Sequence, residues 1–252
     1  MMAGRILILV PHPDDEVVGC AAAAARARRE GARLFGLYLT TGIPPRDALW
    51  PWRRPRYREI VARRREEARH VAARLGIEVL HFSDRPSRRL KNHLVDAMAE
   101  FRRAVAESAA EIVWAPAFEG AHQDHDAANF LAARGAGTVP VCEFAEYNFA
   151  SGVVRSQRFP DESGKETVLR LSAQEKAEKR ALLALYRSER SNLAHIRTEV
   201  ESFRPLPAHD YTGPPHAGTL FCERFHWLPF RHPRIDSEPR PHLHLALSTF
   251  RG

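Results

Sequence analysis

Arg5-Ile6-Leu7-Ile8-Leu9-Val10, running directly into Pro11-His12-Pro13-Asp14-Asp15-Glu16, is the stretch that decides the fold. Its apolar residues are consecutive rather than alternating. Read as a strand, they need cover on both faces, which is the condition of a central strand in a parallel sheet. The chain then turns at two prolines and enters Glu16–Glu30, an Ala-rich segment of high helix propensity that stops at Gly31. Strand, tight turn and helix form the first half of a βαβ unit.

Working outward, the alternation continues. Arg33–Thr40 reads as a strand ending in Thr41-Gly42, and Arg56–Leu75 as a charged amphipathic helix closed by Gly76. Glu78–Phe82 is a third strand. Leu90–Ser108 is a helix with Leu94, Met98, Phe101 and Val105 spaced three to four apart. Glu111–Ala115 is a fourth strand, Asp126–Arg134 a helix and Val139–Phe144 a fifth strand. This order predicts an α/β fold: a doubly wound, mostly parallel, Rossmann-like sheet with helices on both faces. Such sheets bind ligands at the carboxyl ends of their strands. No Gly-x-Gly-x-x-Gly follows the first strand, which excludes the usual dinucleotide site.

Ile43–Tyr57 (IPPRDALWPWRRPRY) interrupts the pattern with four prolines. It reads as an irregular loop at a strand end, either a substrate wall or a surface excursion whose tryptophans pack on the core. Ser172–Tyr186 is a helix, and Ser188–Phe203 reads as a further helical stretch. Residues 1–203 are expected to form the catalytic domain, with 204–252 a Pro-rich extension docked on it. The last part, Arg231–Gly252, reads as loosely docked or poorly ordered.

The bulk properties describe a globular chain of 252 residues, 44% hydrophobic and 27% charged. The net charge of +7 raises the question of nucleic acid, but only Lys91, Lys165, Lys176 and Lys179 are lysines. The remaining basic residues are arginines scattered among glutamates on helices, a composition of GC-rich coding rather than a nucleic-acid footprint. No nucleic-acid partner is expected. Cys20, Cys142 and Cys222 are far apart and make no Cys-x-x-Cys pair, consistent with inert reduced thiols. No apolar run approaches bilayer length, so no integral membrane segment is expected and the chain reads as cytoplasmic.

Chemistry concentrates in His12-Pro13-Asp14-Asp15-Glu16 and in His122-Gln123-Asp124-His125, each at the exit of a predicted strand. His12, Asp15 and His125 are zinc-type donors that leave one coordination position open. Asp14 is a spare carboxylate for proton transfer, and His122 a spare imidazole for an oxyanion or a leaving amine, with Asp124 to fix its tautomer. Each cluster also has a plainer reading: carboxylates suit a helix N-terminus, and histidines are ordinary surface residues. Two such clusters at two strand exits favour a metal-dependent hydrolase. A two-metal phosphoesterase would need more clustered carboxylates than the chain offers.

Val10-Pro11-His12-Pro13-Asp14-Asp15-Glu16, the Ala/Gly-rich helix after it, Thr41-Gly42 and His122-Gln123-Asp124-His125 together resemble the PIG-L/LmbE-like family of zinc-dependent deacetylases of N-acetylglucosamine conjugates. The resemblance extends over roughly the first 190 residues and includes Arg64-x-x-Glu67 and Lys179 through Tyr186 to Glu189. Gln123 stands where the family often has Pro, and Glu189 where it often has Gln. The resemblance implies one zinc ion per chain on His12, Asp15 and His125, with Asp14 as the base acting on the zinc-bound water. It implies that His122 stabilises the tetrahedral intermediate or assists amine departure, oriented by Asp124, with Glu16 in support. Arg64 matches a position that contacts the sugar, or else pairs with Glu67 or another acid. Trp50 and Trp52 are candidates to stack on a sugar face. Arg53, with Arg54 and Arg56, is a candidate for an anionic group, and Tyr147 and Asn148 for the pocket lining. The expected substrate is a small-molecule N-acyl amino-sugar conjugate; another amide or ester is the alternative.

Overall fold

A computed structural model describes residues 4–223 and 240–251. β1 (Arg5–Val10) is the centre of the sheet: its Ile6–Val10 side chains are at most 1% exposed. It pairs in parallel with β2 (Arg33–Tyr38) on one side and β4 (Ile112–Pro116) on the other. Because successive strand side chains point to opposite faces, Leu7 and Leu9 enter one apolar cluster while Ile6, Ile8 and Val10 enter another. The first cluster is completed by Met98 and Phe101 of α3 (Leu94–Ser108) and Phe130 and Leu131 of α4 (Gln123–Gly135). The second is completed by Val17 and Cys20 of α1 (Asp15–Arg29) and Val71 and Leu75 of α2 (Tyr57–Leu75). Each fully buried aliphatic side chain contributes about 1.5–3 kcal/mol relative to exposure. The unbroken apolar run is therefore what places β1 in the middle.

β3 (Ile77–Phe82) and β5 (Val141–Phe144) extend the parallel sheet outward, followed after β5 by two antiparallel strands, β8 (Thr167–Arg170) and β9 (Val200–Pro205). The strand order is β3-β2-β1-β4-β5-β9-β8. A short antiparallel pair, β6 (Tyr147–Asn148) with β7 (Arg155–Ser156), lies beside it. Helix α5 (Ala173–Leu185) starts with a capping box of Ser172 and Glu175. The order reverses direction between β1 and β4, creating the crevice at the carboxyl ends where doubly wound sheets bind ligands.

The structure departs from the sequence expectations in three places. Ser188–Phe203 is not a continuing helix: it forms two short 3-10 turns, Arg187–Glu189 and Leu193–His195, and then most of β9. The expected boundary between 203 and 204 falls inside that strand. The final segment is not loose where it is described. Residues Arg240–Ser248 form α6, with Leu243 and Leu247 buried in the α3/α4 cluster, whereas residues 231–239 lie outside the described part. In the 43–57 segment the prolines allow only the 3-10 turns Arg46–Ala48 and Pro51–Arg56. No described helix is long and apolar enough to cross a membrane.

Candidate active site

His12 leaves the end of β1, and the turn after it places Asp15 at the start of α1. Asp14 holds this turn at φ 130°, ψ −24°, outside the regions ordinary for a side-chain-bearing residue. Its amide is fixed by the Glu16 carboxylate at 3.0 Å, and Tyr186 hydrogen-bonds the same carboxylate. Such strained backbone persists only where its surroundings over-determine it. Beyond β4, His122 caps α4: its Nδ1 accepts the Asp124 amide at 3.1 Å. The cap starts the helix earlier than Asp126, so His125 falls in its first turn.

The structure brings His12, Asp15 and His125 to one point. His12 Nδ1 is 3.1 Å from His125 Nε2 and 3.5 Å from Asp15 Oδ2, and His125 Nε2 is 3.3 Å from Asp15 Oδ2. Bonds of about 2.0–2.1 Å to a tetrahedral zinc would set neighbouring donors about 3.3 Å apart. The other face of His12 explains which lone pair is free. Its Nε2 lies 2.9 Å from Asp124 Oδ2, so Nε2 carries the hydrogen and Nδ1 is left as a donor to metal. Two imidazole nitrogens and a carboxylate oxygen, converging in a buried site, repel one another unless a proton or a cation lies between them. The donor set fits zinc.

Asp124 thus orients His12 rather than His122, from which its Oδ2 is 3.7 Å away. It also accepts the Arg88 and Leu90 amides, so its carboxylate is held on all sides. His122 takes its tautomer from the Asp124 backbone. With Nδ1 accepting, neutral His122 bears its hydrogen on Nε2. The ring stands edge-on to His12 at 4.4 Å.

Asp14 is 7% exposed, and its Oδ2 receives Arg64 Nη2 at 2.7 Å. Burial raises the Asp14 carboxyl well above the usual carboxylate range, Arg64 opposes that rise, and Asp15 and Glu16 add to it. Burial also pushes Asp15 up, but the charges and hydrogen bonds of His125 and His12 outweigh it and leave Asp15 below its ordinary value. Glu16, which has no cation against it, is pushed up by burial to about 7.

Arg64 is 1% exposed and pairs with Asp14, with Ser188 Oγ at 3.1 Å and with Glu189 at 3.4 Å, not with Glu67. Glu67 instead accepts from Ser188. Trp50 and Trp52 stack on each other rather than on the core, 5.1 Å apart and 6° from parallel, with Trp52 68% exposed. Arg53 lies exposed beside them, while Arg54 is tied to the Leu49 and Asp47 carbonyls and Arg56 to Glu59. Tyr147 lies 5.9 Å from the His125 ring and packs against His195 and Phe221. Asn148 is buried on Glu119 and the Arg158 carbonyl.

The sequence reading passed over Glu146. It follows β5 at the same sheet edge and is fully buried, with both oxygens lacking a hydrogen bond, and Oε2 is 3.8 Å from the equally unpartnered His125 Nδ1. It faces His125 as Asp124 faces His12. The signal available was a carboxylate at a third strand exit, one residue before the two that were noted. Glu119 was also missed. It accepts the Glu146 and Tyr147 amides, and burial pushes it up to about 8.

A switch-point crevice holding a His-Asp-His donor set, a buried Asp–Arg pair and a tautomer-fixed imidazole defines a metal-assisted α/β enzyme of the acid–base type. The family described as PIG-L: GlcNAc-PI de-N-acetylase matches residues 7–135, just over half of the chain, and the chain belongs to that family. No curated protein matches the sequence. Among solved structures, the teicoplanin-biosynthesis deacetylase in complex with bog is 21% identical with a TM-score of 0.62, covering 80% of this chain and 97% of that one. The A40926 pseudoaglycone deacetylase Dbv21 is 18% identical with a TM-score of 0.63, covering 82% and 99%. GalB, the 4-carboxy-2-hydroxymuconate hydratase of Pseudomonas putida KT2440, is 17% identical with a TM-score of 0.54, covering 82% and 98%. At these identities the likeness is one of fold, and one fold carries both deacetylases and a hydratase.

Proposed function

We propose that this protein is a zinc-dependent de-N-acylase that releases acetate from a small-molecule N-acetyl amino-sugar conjugate. The observation that carries the reading is the His12, Asp15 and His125 donor set at tetrahedral spacing, flanked by Asp14 and His122. Membership of the de-N-acetylase family supports the amide bond and the amino sugar as its target. When bound, zinc supplies Lewis acidity, polarising a carbonyl and lowering the pKa of water.

The chain's own residues do the rest. Asp14 takes the proton from the attacking water, and Arg64 holds the carboxylate in its ionised form and fixes its direction. His122 presents Nε2–H to the amide oxygen as negative charge develops there. The proton held by Asp14 then returns to the departing nitrogen, so the amine leaves neutral. Asp124 and Glu146 hold the His12 and His125 rings in the tautomers that face the metal. Tyr147 lines the pocket beside His125. The exposed Trp50/Trp52 stack offers a sugar-sized apolar surface with Arg53 at its edge for an anionic aglycone. The reaction belongs to a water-soluble enzyme of the cytoplasm.

The test is a metal analysis followed by a panel of N-acetylglucosamine conjugates, with free amine as the readout. One zinc per chain and amine release from at least one conjugate are expected. Zinc binding with turnover only of simple amides or esters would favour the other one-metal hydrolase reading. Absence of zinc binding would refute the site.

A further inference from the structure

Helix α1 is broken at Cys20, where φ is −146° and ψ is 19°. An uninterrupted helix would point the Ala22 and Ala23 amides at the Val18 and Gly19 carbonyls. Here they donate instead to the two oxygens of Glu201, at 2.9 and 2.8 Å. The Val18 carbonyl accepts Lys179 Nζ at 2.8 Å and Gln157 Nε2 at 2.6 Å. Lys179 and Glu201 close the set with an ion pair of 2.7 Å. All three side chains are at most 1% exposed. They arrive from β9, from α5 and from the segment after β7, so the break is stitched entirely by residues remote in sequence.

A buried ion pair is weak evidence for stability, since an apolar pair of similar volume often serves as well; its best-attested use is to select one conformation. The conformation selected here has a consequence for the site. Upstream of the break lies a single turn carrying Asp14, Asp15 and Glu16, and downstream lies an ordinary helix packed on α5. The break lets that turn take its own direction. Val18, whose carbonyl is clamped, is three residues from Asp15.

We propose that Lys179, Glu201 and Gln157 are positioning residues. They hold α1 in two segments, so that its first turn projects Asp15 onto the point shared with His12 and His125, and Asp14 onto Arg64. The inference rests on the metal-site reading above.

The experiment compares wild type with Lys179→Met/Glu201→Met, Gln157→Leu and Lys179→Arg. It reads three quantities without substrate: amide hydrogen exchange at Ala22 and Ala23, zinc affinity by chelator competition, and melting temperature. The double variant is expected to lose protection at both amides and to bind zinc about tenfold or more weakly, the size typical of disturbed ligand support. Gln157→Leu, which touches only the Val18 carbonyl, is expected to change zinc affinity in the same direction by less. Lys179→Arg should restore most of it. Unchanged zinc affinity in the double variant and Gln157→Leu, with only the melting temperature lowered, overturns the proposal. If the double variant does not fold, Gln157→Leu decides by the same criterion. Wild-type protein that binds no zinc overturns the metal-site reading itself, and this inference with it.

Discussion

Replacing Arg64 with methionine strips Asp14 of the cation that touches it. The two groups are 2.7 Å apart, with side chains 2% and 10% exposed. Unit charges with centres about 4 Å apart interact by about 4 kcal/mol at an effective dielectric constant of 20. That energy amounts to nearly a thousandfold in the proton equilibrium of Asp14. Burial already drives this carboxyl upward and Arg64 opposes it, so removing Arg64 moves it further up. The base must be ionised to act. The acid limb of kcat/KM therefore moves to higher pH, and activity near neutrality falls by about 10²–10³-fold, recovering in part in alkali. The assay is the pH profile of amine release by the zinc-loaded variant, beside Arg64→Lys, which keeps the charge and should retain more activity. A uniform drop with the acid limb unmoved would refute the reasoning and assign Arg64 to substrate instead. Melting temperature must be read alongside, because Arg64 also binds Ser188 and Glu189.

Asp124→Asn weakens the hydrogen bond that holds His12, and zinc affinity should fall about 10–100-fold in chelator competition with little change in melting temperature of the zinc-free protein. Gly19→Ala places a methyl group 2.1 Å from the buried Phe144 ring, so urea unfolding should show a loss of about 1–3 kcal/mol. Glu119 is raised in the folded protein to about 8 from an ordinary 4.5, so the folded state binds the extra proton. Its contribution to stability is complete below about 4.5 and is lost as pH rises through about 8; the zinc-free protein should weaken toward unfolding between pH 5 and 9, and Glu119→Gln should flatten that slope.

The sequence by itself determined the sheet and its chemical edge. Ile6–Val10 can be buried only between two layers, and the apolar periodicity of α3 and the stop at Gly76 are local signals that survive without knowledge of partners. Because each strand exit in a doubly wound sheet opens on the same edge, His12, Asp15, His122 and His125 were bound to meet once the strands were recognised. Tertiary structure decided what a residue list cannot express, namely which charge faces which. β9 escaped recognition because Val200-Glu201-Ser202-Phe203-Arg204-Pro205 is rich in charge. It is nonetheless a buried strand, since Glu201 finds Lys179 and Arg204 finds Glu143 at 2.6 Å, partners supplied from far along the chain. The same holds at the site. Asp124 serves His12 rather than His122, Arg64 serves Asp14 rather than Glu67, and Glu146 sits behind His125. A burial pattern is written in local periodicity because the hydrophobic effect is non-directional. Hydrogen bonds and ion pairs are directional and short-ranged, so their partners exist only once the chain has folded.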